Sequence, residues 1–193
     1  MITRCDWSIT TEPMIQYHDT EWGVPVHDNL KLFEYIILDA FQAGLSWSTI
    51  LNKRENFRKA FDNFKPEFIA YYDEQKYNEL ITDAGIIRNK AKISAAIENA
   101  KQFLKIRDEF GSFDKYIWQF TNGKTILNSW ESIKEVPPST KISDEMSKDL
   151  KSREFKFVGT TICYAFMQAA GIVNDHLVSC FRYDYLKSIA EIY

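Results

Sequence analysis

The apolar side chains of this protein recur at the spacing of an α-helix, and this pattern constrains the fold more than any other feature. Between residues 30 and 43, Leu32, Tyr35, Ile36 and Ala40 are three or four positions apart and form one helical face. The 193 residues include only seven glycines and five prolines, too few for the many tight turns of an all-β protein. We therefore predict a mostly helical, globular protein.

Composition and charge exclude several classes of protein. No segment offers the roughly 18 to 20 continuous apolar residues of a membrane helix, and the N-terminus lacks the apolar core of a signal peptide. The three cysteines show no disulfide framework spacing, which fits a reducing compartment. We expect a cytoplasmic protein. Its net charge of -3 does not indicate a nucleic-acid partner, so such a partner would need a local positive patch.

Helix start and stop signals divide the chain. We predict an irregular segment at 1–28, then a helix at about 30–43 with Asp28 or Asn29 as its N-cap. This helix breaks at Gly44, and Ser46 caps the next one. Further helices are predicted at 66–72, at 73–81, after Gly85, at 113–120, after a cap at Ser143, and on both sides of a break at Gly171.

Asp39 lies on the apolar face of the first predicted helix, where a carboxylate has no evident structural role. Burying an unpaired carboxylate costs several kcal/mol. Trp7, Tyr17, Trp22 and Trp47 all lie in the same first quarter of the chain. Two interpretations remain open: the aromatic side chains fill a core, or they surround the acid as a pocket for a flat ligand.

The segment "ITDAGIIRNKAKI" predicts a helix that ends near Thr82, a tight or left-handed turn at Gly85, and a long amphipathic helix. The N–H groups that begin the second helix, with Arg88, Lys90 and Lys92, would favour an anion such as a phosphate. An ordinary turn between two helices with solvated lysines explains the same pattern.

Cys5, His18, His176 and Cys180 are candidate ligands of a zinc ion. His176 and Cys180 are four positions apart, a spacing that would place both on one face of a helix. Two thiolates and two imidazoles fill a tetrahedral site, so the metal would be structural and would join the two ends of the chain. Two unrelated buried cysteines and two ordinary histidines remain the alternative.

The segments "YHDTEWGVP", "QAGLSW", "DAGIIRNKAKI" and "FKFVGTTICYAFMQAAGIVNDH", in this order, resemble the constitutive bacterial 3-methyladenine DNA glycosylase I family. The resemblance extends from Cys5 to about Cys180. It implies an all-α helix-hairpin-helix glycosylase fold whose N- and C-terminal segments are joined by one structural zinc ion on the four residues above. We expect a single unit over 1–193, with the hairpin in a helical region at 29–140 and a zinc-clamped terminal region of 1–28 with 141–193.

The same resemblance implies an enzyme that hydrolyses the N-glycosidic bond of 3-methyladenine in alkylated double-stranded DNA. Trp47 is similar to the family residue that stacks on the flipped base, Tyr17 to one that hydrogen-bonds it, and Trp7 to another wall of the pocket. Asp39 takes the position of a family glutamate that accepts hydrogen bonds from the base. The implied phosphate-binding residues are those of the hairpin: Gly85, Arg88, Lys90 and Lys92.

Three hypotheses follow for the function of the chain. The first is a monomeric, monofunctional glycosylase without strand-cleaving lyase activity, since no lysine is placed as a Schiff-base nucleophile. The second is a catalytically weakened protein of the same fold that binds DNA or a modified base, because Asp39 is one methylene shorter than the family glutamate. The third is an interaction module held by a zinc clamp. Release of free 3-methyladenine distinguishes the first from the others.

Overall fold

The computed structural model describes residues 2–190, and helices make up most of this range. A pair of two-residue parallel strands, β1 (Ile126–Leu127) and β2 (Val173–Asn174), joins the middle of the chain to its C-terminal part. The helices are α1 (Glu12–Thr20), α2 (Asn29–Gln42), α3 (Trp47–Ala60), α4 (Pro66–Ile69), α5 (Glu74–Thr82), α6 (Lys90–Phe110), α7 (Phe113–Trp118), α8 (Lys141–Ser152), α9 (Thr160–Ala169) and α10 (Phe181–Ala190).

The mostly helical fold predicted from the sequence is confirmed, and the structure shows which side chains cap the helices. Asp28 accepts a hydrogen bond from the backbone N–H of Lys31 at 2.8 Å, and Ser46 accepts one from Thr49 at 3.3 Å. The strands were not predicted, because two residues are too few to show an alternating pattern.

Two local predictions are wrong. Residues 1–28 are not irregular throughout, because they include α1, which has Pro13 in its first turn. Proline is well tolerated in the first turn of a helix, where its missing N–H has no partner to lose. The N-cap of α8 is Thr140 rather than Ser143. The Ser143 hydroxyl oxygen instead accepts a hydrogen bond from the Thr140 backbone N–H at 2.8 Å in a capping box.

Helix α2 is the centre of the molecule. Every residue from Leu32 to Phe41 is buried, so the helix is enclosed on all sides. It packs against α3, α6, α7 and α9. A polar residue on this helix therefore faces other protein groups or an internal cavity, and Asp39 is such a residue.

A second, smaller cluster of buried side chains joins the N-terminal segment to the C-terminal one. Its buried members are Cys5, Tyr17, Trp22, Leu177 and Cys180. Trp47 packs against both this cluster and the main core. The division of the chain into a helical region at 29–140 and a terminal region stays a prediction.

Gly171 allows the N-terminal segment to approach α9 closely. Its φ is +68°, and a Cβ at this position would lie 2.3 Å from the carbonyl carbon of Val24. The neighbouring Ala170 carbonyl accepts a hydrogen bond from Val26 N–H at 3.0 Å. A side chain here would thus push the two segments apart.

Within residues 2–190, none of the helices combines the length and the apolar character needed to cross a membrane.

Candidate functional site

A cavity of ≈ 200 Å³ lies between the N-terminal segment, the C-terminal half of α2, the start of α3 and the end of α9. It is smaller than the sites that hold drug-sized molecules, and its size suits a single flat heterocycle. The residues that line it are Trp7, Tyr17, Trp22, Asp39, Gln42, Trp47, Ile133, Val136, Ala165, Gln168, Ala169 and Asp175.

Asp39 is the unpaired acid of this cavity. The residue is 2% exposed, and its Oδ2 atom is buried without a hydrogen-bond partner among the described residues. Burial raises the pKa of the Asp39 carboxyl well above its usual value, against the opposing effect of the positive charge on Arg54. An unsatisfied buried carboxyl is costly for folding, so its position indicates a ligand that completes its hydrogen bonding.

Aromatic rings form the walls around Asp39. Trp47 is the first residue of α3, directly after the Ser46 cap, and its indole Nε1 is buried without a partner among residues 2–190. The centroids of the Tyr17 and Trp47 rings are 5.2 Å apart. Trp7 meets Trp22 edge-on at 4.8 Å. These rings are not sealed into the core, because Trp7, Tyr17 and Trp47 all face the cavity.

Sequence reasoning did not assign Asp175 or Gln168 to the site, although both line the cavity. Asp175 Oδ1 accepts hydrogen bonds from Asn128 and Trp130 at 2.7 and 2.8 Å. Its Oδ2 accepts from Tyr164 at 2.6 Å and from Gln168 at 2.8 Å. A sequence feature that could have identified this part of the site is the spacing of Tyr164 and Gln168, which places two polar groups on one face of an apolar helix.

Arg54 carries a positive charge that acts on Asp39, and the sequence did not indicate this residue. Its guanidinium donates to Glu34 at 2.6 Å and to Glu21 at 3.0 Å. Tyr35, one helical turn before Asp39, lies below it with the ring centroid 5.6 Å from the guanidinium carbon. The ion pairs hold Arg54 beside α2, where its charge acts on Asp39.

Residues 83–89 connect α5 to α6 and lie against α3. Lys53 donates to the carbonyls of Ala84 and Gly85 at 2.9 and 3.2 Å, and Asn56 donates to Gly85 at 3.3 Å. The predicted tight turn is present, since Gly85 N–H donates to the Asp83 carboxylate at 2.7 Å. A left-handed Gly85 is not observed. A Cβ at this position would make a tight contact with Asn56, whose Cβ would be 3.2 Å away.

The predicted phosphate ligands of this connection occupy two different environments. Arg88 and Lys90 are exposed, and neither makes an ion pair among residues 2–190. Lys92 is only 7% exposed, and its ammonium donates to the carbonyls of Phe41 at 2.8 Å and Ala43 at 2.5 Å. Lys92 therefore holds the end of α2 against the start of α6. A contact between these residues and phosphate stays a prediction.

The four predicted metal ligands lie together although they come from opposite ends of the chain. Cys5, His18, His176 and Cys180 are all buried, and their ligand atoms lie within 4.8 Å of one another. Cys180 Sγ is 3.5 Å from His18 Nε2 and 3.4 Å from His176 Nδ1. A tetrahedral zinc site with bonds of about 2.0–2.3 Å has ligand atoms roughly 3.3–3.8 Å apart.

Surrounding groups orient both imidazoles toward the sulfur atoms. His18 Nδ1 is 2.7 Å from the Asp19 carboxylate, which Arg4 also contacts, and His176 Nε2 is 3.0 Å from the Trp22 carbonyl. This arrangement directs the other ring nitrogen of each histidine toward Cys180 Sγ, as expected where histidines and cysteines bind one metal ion. The residues present thus fit a tetrahedral metal ion.

The contact between the two cysteines of this cluster shifts their pKa values in opposite directions. A hydrogen bond to Cys5 and contacts with both histidine rings lower the pKa of Cys180 far below its usual value. The same contact with Cys180, together with burial, raises the pKa of Cys5. The lowered pKa of Cys180 favours its thiolate, which is the form that ligates metals.

The predicted helix that carries His176 and Cys180 is not observed. Both residues precede α10 in an irregular segment, where Cys180 N–H donates to the Leu177 carbonyl at 2.8 Å. The break at Gly171 and the pairing of β2 with β1 keep the residues before this segment extended. The two ligands converge through a turn rather than through helical spacing.

Fold and site define a helical protein with a small aromatic pocket around one unpaired acid. Residues 7–183 match the methyladenine glycosylase family, and the chain belongs to that family. It is 49% identical over 181 residues to DNA-3-methyladenine glycosylase 1 of Escherichia coli (strain K12), covering 93% of this chain and 96% of the relative.

Two solved structures are similar in fold and sequence. A crystal structure of 3-methyladenine DNA glycosylase I is 49% identical with a TM-score of 0.90, covering 93% of this chain and 98% of that chain. A structure of the Staphylococcus aureus enzyme, described as the structural basis of its 3-methyladenine recognition, is 34% identical. It has a TM-score of 0.90 and covers 93% of this chain and 96% of that one.

Proposed function

We propose that the protein is a monofunctional DNA glycosylase that hydrolyses the N-glycosidic bond of 3-methyladenine in alkylated double-stranded DNA. The observation that carries the proposal is the unpaired Asp39 carboxyl inside an aromatic cavity of base size, in a member of the methyladenine glycosylase family. Such a cavity can receive a base only after the nucleotide has been flipped out of the duplex.

Methylation at N3 gives the adenine ring a positive charge, so the base is already a good leaving group. When the bond between C1′ and the base breaks, its electron pair neutralises the ring, and a water oxygen forms the new bond to C1′. The water proton passes to solvent or to a nearby carboxylate. The protein therefore needs to bind and orient the nucleotide more than it needs to protonate the base.

Asp39 would select the cationic base through its raised pKa. A positively charged ring beside the carboxyl lowers its pKa and favours the carboxylate, which then pairs with the base. Neutral adenine offers no such compensation and would meet a desolvated acid. After hydrolysis the released base is neutral, so the charge pair is lost and the product can leave.

Trp47 and Tyr17 would hold the flipped base between them and the Asp39 carboxyl. Stacking on an aromatic side chain contributes about 1–3 kcal/mol per base. The unpaired indole Nε1 of Trp47 and the hydroxyl of Tyr17 add polar groups at the same wall. Trp7 would close the opposite side of the pocket, with its position fixed against Trp22.

We also propose that α5, residues 83–89 and α6 form a helix-hairpin-helix unit whose Gly85, Arg88 and Lys90 contact DNA phosphates. The Cys5, His18, His176 and Cys180 cluster would hold one structural zinc ion, which when bound joins the two terminal segments. We expect the protein to act as a monomer in the cytoplasm.

A binding protein with weakened catalysis remains the second candidate, because Asp39 is one methylene shorter than the glutamate expected from the family. A displacement of about 1 Å can reduce a rate by roughly a hundredfold. Asp39→Glu would then restore the reach of the carboxylate, so its activity should equal or exceed that of the wild type.

The experiment that separates the two candidates is incubation of the protein with an excess of methylated duplex DNA. A glycosylase releases many molecules of free 3-methyladenine per protein, and the DNA strand stays uncut until the abasic sites are cleaved chemically. A binding protein retains at most a stoichiometric amount of DNA and releases no base. The latter result would contradict the proposed activity.

A further inference from the structure

One wall of the base-sized cavity carries a side-chain amide that the proposed mechanism does not use. Gln168 lies in the last turn of α9, and Ala165 and Ala169 line the cavity on either side of it. The Gln168 backbone carbonyl accepts hydrogen bonds from Gly23 N–H at 3.1 Å and from Gly171 N–H at 3.3 Å. These bonds fix the backbone from which the amide reaches the cavity.

Asp175 determines which end of the Gln168 amide is left for the cavity. Gln168 Nε2 donates to Asp175 Oδ2 at 2.8 Å. A carboxylate only accepts hydrogen bonds, so a reversed amide would place its carbonyl oxygen against a second acceptor. The NH2 group is therefore held at Asp175, and the Gln168 carbonyl oxygen remains for a ligand. No group among residues 2–190 donates to this oxygen, and it is not one of the fully buried atoms that lack a partner.

Three further donors keep Asp175 from turning. Its Oδ1 atom accepts from the Trp130 indole at 2.8 Å and from the Asn128 amide at 2.7 Å. Its Oδ2 atom accepts from the Tyr164 hydroxyl at 2.6 Å in addition to Gln168. An indole N–H can only donate, so the Oδ1 side of Asp175 must stay an acceptor. Asp175 is thus a positioning residue for the Gln168 amide.

The charge on Asp39 does not explain which methylated purine the cavity prefers. Adenine and guanine methylated at the N3 ring nitrogen are both cationic in DNA, so a carboxylate attracts both of them. The two bases differ at C6, which carries an amino group in adenine and a carbonyl group in guanine. Two acceptors line the cavity, the Asp39 carboxyl and the Gln168 carbonyl oxygen, and an amino group offers two N–H donors. The cavity therefore complements the amino group.

We propose that Gln168 selects a 6-amino purine over a 6-oxo purine, because its carbonyl oxygen accepts a hydrogen bond from the exocyclic amino group of the flipped base. The inference rests on the proposed function, which supplies the flipped base. A 6-oxo base would place its own carbonyl oxygen against that of Gln168, with no proton between them. A site built to bind a substrate N–H rejects an analogue without it, since the polar group of the site is left unpaired.

Gln168→Met tests the role of the amide with an unbranched side chain of similar length that has no strong acceptor. Release of 3-methyladenine should fall roughly tenfold, whereas release of 3-methylguanine should stay equal or rise. Both lesions are present in one preparation of methylated duplex DNA, so chromatography of the released bases gives the ratio of the two rates in a single reaction. A purely structural role of Gln168 would lower both rates alike and leave the ratio unchanged.

Asp175→Asn should reverse the orientation of the Gln168 amide. The Trp130 indole still needs an acceptor, so the new amide oxygen stays on its side and the new amide nitrogen faces Gln168 and the Tyr164 hydroxyl, which can accept. The Gln168 carbonyl would then turn toward this nitrogen and its NH2 group toward the cavity. Release should shift from 3-methyladenine toward 3-methylguanine, and Asp175→Asn should have no such effect in a chain that also carries Gln168→Met.

A matched control is a second amide that donates to a carboxylate away from the cavity. Gln75 is exposed, and its Nε2 atom is 3.5 Å from the Glu79 carboxylate. Gln75→Met should keep the wild-type ratio of the two released bases. The melting temperature of each variant reports whether it folds, and Gln168→Met carries the test alone if Asp175→Asn does not fold.

A ratio for Gln168→Met within twofold of the wild-type ratio would overturn the proposal. Equal release of the two bases by the wild type would also overturn it. Wild-type protein that releases neither base would contradict the proposed function alone. Titration calorimetry with free 3-methyladenine and free 3-methylguanine then tests the same preference as a ratio of Kd values, which Gln168→Met should reduce roughly tenfold.

Discussion

At the scale of single residues, Asp39 and Asp175 line the same cavity in opposite states of hydrogen bonding. Asp175 accepts four hydrogen bonds and is locked in place, whereas Asp39 has a buried oxygen without a partner. Asp175 therefore shapes the wall, and Asp39 is the group that a ligand can satisfy. The contrast shows why burial of an acid alone does not identify a recognition residue.

Asp39→Asn should change stability in a pH-dependent manner. The folded pKa of Asp39 is raised, so the folded wild type binds a proton that the unfolded chain releases above about pH 3.9. Below this pH, the free energy of unfolding of the wild type should equal that of the variant. As the pH rises through the folded pKa, the free energy of unfolding of the wild type should become lower than that of the variant. Urea unfolding between pH 3.5 and 8 measures the difference, and a difference independent of pH would contradict the raised pKa.

Trp47→Ala should weaken binding of the free base by the stacking contribution of about 1–3 kcal/mol, or roughly five- to 150-fold in Kd. Titration calorimetry with 3-methyladenine measures this loss. Tyr71→Ala removes an aromatic ring that is 81% exposed and remote from the cavity lining, so it should leave Kd unchanged. An unchanged Kd for the Trp47 variant would remove this side chain from the pocket.

At the scale of secondary-structure elements, the site depends on where α2 ends. The end of α2 places Gln42 at the cavity, and the carbonyls of Phe41 and Ala43 receive the Lys92 ammonium. The start of α6 is thereby fixed relative to the pocket. A duplex bound at the start of α6 would have a defined distance to the cavity that receives its flipped base.

Lys90 and Lys92 should respond differently to substitution, although the sequence predicts the same role for both. Lys90→Ala removes an exposed cation, so it should weaken binding to all DNA sequences alike and reduce the salt dependence. Lys92→Met removes charge-assisted hydrogen bonds at the end of α2, so it should lower the free energy of unfolding by about 1.5–3 kcal/mol. Salt-dependent binding and urea unfolding of both variants check this; equal effects on stability would contradict the assigned environments.

Sequence patterns predict correctly the elements that depend on neighbouring residues. The prediction fails where contacts between distant segments determine the local structure. The caps Asp28 and Ser46 and the buried position of Asp39 follow from spacing and side-chain chemistry alone. The segment from His176 to Cys180 has helical spacing, yet pairing of β2 with β1 keeps the preceding chain extended. The environment of Lys92 is set by carbonyl groups about fifty positions earlier, which no local pattern reports.

At the scale of the whole molecule, the two ends of the chain meet at one side of the pocket. Cys5 and His18 lie near the N-terminus, and His176 and Cys180 lie near the C-terminus. Trp22 contacts the ring of His176 at 4.5 Å and also lines the cavity. The cluster therefore supports one wall of the pocket, although none of its four residues lines it.

Removal of a candidate metal ligand should destabilise the whole fold. The purified protein should contain one zinc ion per chain by elemental analysis, and Cys180→Ala should lose the metal and several kcal/mol of stability. Cys163→Ala removes a buried thiol that donates to the Val158 carbonyl at 3.4 Å and lies outside the four-residue cluster, so it should keep the zinc. A Cys180 variant with an unchanged melting temperature, or wild type without zinc, would contradict the proposed site.

The rate of 3-methyladenine release by wild type and by Asp39→Asn, measured side by side on methylated duplex DNA, tests the central claim most directly. The wild type should turn over many times, with a rate that rises with pH as the carboxyl ionises. The variant should be folded, slower by roughly ten- to a hundredfold, and without this pH dependence, because it lacks a hydrogen bond to a charged group. An Asp39→Asn protein that releases the base at the wild-type rate would contradict the role of Asp39 in recognising the cationic base.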